Sequence, residues 1–107
     1  MRRKEADFAS PAAMKVGAHL GDLVRQARLA RSWTQQGLAE RARISLATVK
    51  RMERGAVEVS LGGWLAVFES LGLLSLFSAL RDPASAALLD RTKAQRARAG
   101  QRNDLDF

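Results

Sequence analysis

From about Leu20 onward, apolar residues recur at helical spacing, and no stretch shows the strict alternation of a half-buried strand. Leu20, Val24, Ala27 and Arg31 mark one stripe of a first helix over about 18–31, with Arg25 and Arg28 on its flanks. Ser32 ends that helix, and Trp33 is expected as a buried plug between helices. Thr34 is placed to cap a short second helix whose inward residues are Leu38, Ala39 and Ala42. Arg43-Ile44 breaks the pattern, and Ser45 caps a third helix over about 46–54. There Val49 and Met52 point inward while Leu46, Ala47, Lys50 and Arg51 point out, and Gly55 suits the position just past the end. A fourth helix runs from a Ser60 cap to Leu71, burying Leu61, Trp64, Leu65 and Phe68, and Gly72 stops it. A short fifth helix over about 73–81 ends at Asp82-Pro83.

The two ends read differently. Ser10-Pro11 interrupts any helix, so residues 1–17 are expected as a flexible arm. Residues 84–99 have helix-forming composition, but Leu88 and Leu89 are their only large apolar residues. Gly100 closes that stretch, and QRNDLDF reads as a flexible end. The expectation is one all-α domain over 18–82 between an arm (1–17) and a basic tail (83–107), as suits a chain of 107 residues.

Charge changes the picture. Eighteen Lys and Arg against eleven Asp and Glu leave +7, and all but four of the bases are arginine. Arginine forks match phosphates and guanine edges better than an ammonium does, so a polyanionic partner is indicated. Absent cysteine excludes disulfides, thiolate zinc sites and cysteine catalysis. The lone His19 is expected at the surface, with nothing to pair with as a metal ligand. No Gly-rich phosphate loop or nucleophile–base pair is present, so neither an enzyme nor a cofactor is expected. No apolar run suits a membrane span and no signal-like segment opens the chain, so a cytoplasmic protein is expected.

The stretch Thr34–Gly55, TQQGLAERARISLATVKRMERG, carries the function. Two short helices separated by a three-residue break form a helix-turn-helix, whose second helix enters a major groove. Thr34-Gln35, Leu38-Ala39-Glu40, Ile44-Ser45, Thr48-Val49 and Arg51 to Gly55 resemble the Cro/phage-repressor-like (XRE) family of DNA-binding regulators, and the likeness extends from about Leu20 to Leu80. It implies a five-helix, lambda-repressor-like fold that binds double-stranded DNA. By that resemblance Gln35 holds a backbone phosphate beside a helix N-terminus, and Ser45, Leu46, Ala47, Lys50 and Arg51 take the base-facing positions. Arg54 falls near a phosphate, and Arg28 with Glu53 falls where the family ties its first helix to its third.

Three positions depart from the family pattern. Arg43 replaces the usual glycine of a left-handed turn, which strains the backbone mildly. Leu46 and Ala47 cannot donate hydrogen bonds, though they can touch thymine methyls. The loop Ala56-Val57-Glu58-Val59 lacks a base, and Glu58 repels phosphate there. Specificity then leans on Lys50, Arg51 and DNA shape.

Two functions compete. One is a homodimeric repressor on a near-palindromic site, paired through Leu73, Leu76, Phe77 and Leu80. The other is a HipB-type antitoxin that binds its own operator and a toxin kinase. A scaffold using the fold for protein contacts is a third class. The tail bears on the choice, since Arg91, Lys93, Arg96, Arg98 and Arg102 suit a DNA backbone, while the terminal Asp-Leu-Asp-Phe suits a partner protein.

Overall fold

The computed structural model describes residues 9–105, with side chains described to Gly100. Within that span the protein is all-helical: α1 (Pro11–Ala30), α2 (Gln35–Ala42), α3 (Leu46–Glu53), α4 (Leu61–Ser70), α5 (Ser75–Ser78) and α6 (Pro83–Leu105). It divides into two compact units, one ending at Ser75 and one starting at Leu76.

The first unit begins and ends each of its four main helices by the same devices. Ser10, Thr34, Ser45 and Ser60 are N-caps whose hydroxyls accept from the amides of Ala13, Gly37, Thr48 and Gly63 at 2.9–3.2 Å. Each such cap is worth about 1 kcal/mol. At the far ends, left-handed residues turn the chain: Ser32, Arg43, Gly55 and Gly72, with φ of 57°, 57°, 79° and 75°. The amide after each turn donates back to a carbonyl of the last helical turn: Trp33 to Arg28, Ile44 to Ala39, Ala56 to Arg51 and Leu73 to Phe68, at 2.8–3.2 Å.

α1 starts at Pro11, so residues 11–17 are helix and not the expected flexible arm. The reason is local. Proline at the first helical position lacks an N–H that had no partner anyway, and Ser10 caps it. Asp82-Pro83 behaves alike: it opens α6 instead of only closing what precedes it, with Asp82 Oδ1 accepting from the Ala84 amide at 3.2 Å. α6 continues through Gly100 to Leu105, where a flexible end was expected; Asp106 and Phe107 lie outside the described residues. The fifth helix shrinks to Ser75–Ser78, giving six helices against five expected.

α2 packs on α3 and α4, and α1 packs on α3. Val24, Leu38, Val49, Met52, Val67, Phe68 and Leu71 form the core. The buried face of α1 is Gly17, Gly21, Val24 and Arg28, displaced from the expected stripe, and Arg31 is exposed. Glycines contribute no hydrophobic signal, yet a Cβ on Gly21 would collide with the Met52 carbonyl, and one on Gly55 would stand 2.7 Å from Ala18 Cα. Two backbones meet here with no room for side chains.

Leu61, expected in the core, is 67% exposed. As the first residue of α4 its side chain leans back beyond the helix start, and Val59, just before the cap, takes the buried place. Trp33 is half-buried and not a plug; the Arg41 guanidinium lies 4.0 Å from its ring centre.

Candidate nucleic-acid interface

α2 and α3 are joined by a three-residue break, Arg43 to Ser45, with Arg43 in the left-handed conformation at φ 57° and ψ 42°. Buried Ala39 and Ala42 keep α2 slim, while Val49 and Met52 turn wholly inward from α3. That anchoring determines which side of α3 faces out. Ala47, Lys50 and Arg51 are exposed on it, Ser45 is exposed at its cap and Arg54 at its end, and Leu46 is half-buried.

The exposed side of α3 is internally ordered. Ser45 Oγ and Thr48 Oγ1 stand 2.7 Å apart, and Arg51 donates through Nη2 to Thr48 Oγ1 at 3.4 Å. Ser45 also accepts from the Thr48 amide, so its hydroxyl serves the cap first. The sequence pattern gives Thr48 no role in the site beyond its place in the family resemblance; its spacing of three from both Ser45 and Arg51 is the signal that points to one. The hydroxyl pair steers Arg51 along the helix.

Behind this face lies the tie between α1 and α3. Arg28 donates through Nε and Nη2 to the two carboxylate oxygens of Glu53, at 2.8 and 3.0 Å, and through Nη1 to the Trp33 carbonyl at 2.8 Å. Both side chains are buried. Its hydrogen bond to the Glu53 carboxylate holds the Arg28 guanidinium above its ordinary value, outweighing the opposing effect of burial. Gln35 joins the pair, its Nε2 donating to Glu53 Oε1 at 3.3 Å. The expected phosphate ligand is thus half-buried and already turned toward a carboxylate.

Arg25, Gln35, Lys50, Glu53 and Arg54 line one open cleft at the start of α2. Three cations surround one carboxylate that Arg28 already neutralises, so the cleft attracts an anion beside the amides of a helix start. The helical stripe of α1 places Arg25 only on a flank. It is one turn before Arg28, and only the crossing of α1 over α3 brings it to Lys50 and Arg54. Glu58 is exposed in the following loop and His19 is exposed on α1.

Among the described residues no helix is long and apolar enough to cross a membrane. No curated protein matches the chain. A family model described as a helix-turn-helix domain matches residues 19–75, more than half of the chain, and the protein belongs to that DNA-binding family.

Proposed function

We propose that the protein is a sequence-specific, double-stranded-DNA-binding transcriptional repressor of the Cro/phage-repressor-like class, reading the major groove with α3. The observation that carries this reading is the exposed set Ala47, Lys50 and Arg51 on a helix whose other side is locked by Val49, Met52 and Glu53. Lys50 and Arg51 donate to base edges, while Leu46 and Ala47 meet thymine methyls. Ser45 caps the helix at the groove floor. Gln35, Arg25 and Arg54 grip the backbone phosphates beside it.

One helix of eight residues reads too few base pairs to single out a site, so the protein works as a homodimer on a near-palindrome. Leu76 and Leu80, 50% and 73% exposed, supply the apolar surface for pairing. It acts by binding, without cofactor or catalysis, in the cytoplasm where its DNA lies. The repressor is preferred to an antitoxin paired with a toxin kinase. α6, the element outside the helix-turn-helix that would meet such a partner, carries bases and no apolar stripe.

Selection of bound duplexes from a random pool, followed by Arg51→Ala, tests the reading. The expected result is one enriched half-site and a loss of about 1–3 kcal/mol that relaxes a single base position. Equal losses on selected and random DNA would make Arg51 a phosphate contact and remove its reading role.

A further inference from the structure

The segment expected to be a tail is a helix of 23 residues, and nothing in the helix-turn-helix accounts for it. Between Arg91 and Arg102 it carries five bases and no acid. Arg91, Lys93, Arg96 and Arg98 are all exposed, and among the described residues the only ion pair is Arg28–Glu53. Asp90, one turn before Lys93, lines a pocket with it but makes no ion pair, and Arg91, Arg96 and Arg98 have no acidic residue three or four positions away. Lys93 and Arg96 stand one turn apart on the same side, a like-charge spacing that weakens an isolated helix. Arg91 and Arg98, two turns apart, lie on a different side, roughly 10 Å from each other along the axis. An unbalanced cationic helix is relieved by a polyanion.

The other occupants of such a helix fit poorly. A membrane-surface helix needs a broad apolar face opposite its bases. A partner groove needs anchors at helical spacing. Leu88 and Leu89, 57% and 59% exposed, are adjacent in sequence and so diverge by about 100° around the axis. Beyond them the stretch 90–100 contains no large apolar residue. Bases on more than one side suit a ligand that asks for charge without register. Duplex DNA, with one phosphate per roughly 1.7 Å of axis, is such a ligand.

We propose that α6 is a second DNA-binding element, in which Arg91, Lys93, Arg96 and Arg98 hold duplex phosphates without reading bases. It rests on the DNA-binding reading of α3 and adds to it a sequence-independent, salt-sensitive contribution to affinity. The bases of α3 select the site, and α6 lengthens residence on any duplex.

The test uses the full chain with Arg91, Lys93, Arg96 and Arg98 all changed to Gln, which keeps helix propensity and removes charge. Binding to the selected duplex and to a random duplex is measured from 50 to 200 mM salt. If all four residues hold phosphates, the slope of log affinity against log salt flattens by about 0.9 for each. Over that fourfold salt range the unsubstituted chain then loses roughly a hundredfold more affinity than the variant. The flattening is expected equally on both duplexes. A chain with Arg91→Lys, Arg96→Lys and Arg98→Lys keeps the original slope.

Circular dichroism checks that α6 stays helical. Should the fourfold variant lose helix, the double change Arg91→Gln with Arg98→Gln carries the same test at half the size. An unchanged slope in a helical variant overturns the proposal. So does a variant that loses binding to phosphatidylserine vesicles while keeping its DNA slope, which would make α6 a membrane-surface element. Failure of the α3 reading looks different: the unsubstituted chain would then bind selected and random duplexes alike, with the α6 slope change intact.

Discussion

Gln35 donates its amide to the same Glu53 oxygen that accepts from Arg28, so the start of α2 and the end of α3 are held by one carboxylate. The residue expected to touch phosphate and the residue that fixes the reading helix thus share a partner. The position of α3 is thereby linked to the cleft lined by Arg25, Gln35, Lys50 and Arg54, and loss of Glu53 loosens both.

That link sets the first prediction. Glu53→Ala leaves Arg28 buried without its carboxylate, and such a broken pair costs about 3–5 kcal/mol. Urea unfolding should show the loss, while the double change Arg28→Met with Glu53→Leu should cost clearly less than the two single losses added. The contribution from Arg28 has no neutral-range pH dependence. Its folded-state value is raised, so the stabilisation is complete below the ordinary arginine value and fades only above it. A loss of the Arg28 contribution between pH 6 and pH 9 would contradict this.

Arg43 gives a prediction of opposite sign. It holds φ at 57° where a Cβ crowds the backbone. Arg43→Gly removes that strain and should raise stability by about 1 kcal/mol, after the added freedom of glycine in the unfolded chain is discounted. The melting temperature should rise by roughly 4–8 °C for each such kcal/mol. An unchanged or lower melting point means that the Arg43 side chain makes a compensating contact.

At the α1–α3 crossing even the smallest change, one added methyl, should do harm. Gly21→Ala places a methyl against the Met52 carbonyl and within 2.9 Å of the Gly55 amide nitrogen. Backbone cannot give way as a side chain tip can, so a loss of about 1–3 kcal/mol is expected. Gly62→Ala, with nothing within 4 Å of the added carbon, is the control. Equal behaviour of the two variants in thermal melts would remove the close-approach argument.

The proposed pairing surface is tested by Leu76→Glu with Leu80→Glu. Both side chains are at least half exposed, so the monomer should keep its fold by circular dichroism. Sedimentation should show a shift from dimer to monomer, and binding to a two-half-site duplex should weaken far more than binding to one half-site. A dimer that survives both substitutions places the interface elsewhere.

The sequence by itself determined the helix-turn-helix. Thr34, Ser45 and Ser60 announced their caps, Gly55 and Gly72 their stops, and Leu38, Val49, Met52 and Phe68 their inward faces. These signals are local, reading within one or two turns of chain, and the periodicity that names a buried face is local too. Prolines 11 and 83 misled because the same residue ends one segment and begins the next, and only the cap hydrogen bonds show which. What tertiary structure alone decided lies where backbones cross. The glycine face of α1 has no hydrophobic signature, Arg25 reaches Lys50 and Arg54 only through that crossing, and Gln35 finds Glu53 eighteen residues away. Such relationships depend on the distance between helices, which composition and spacing along one helix do not contain.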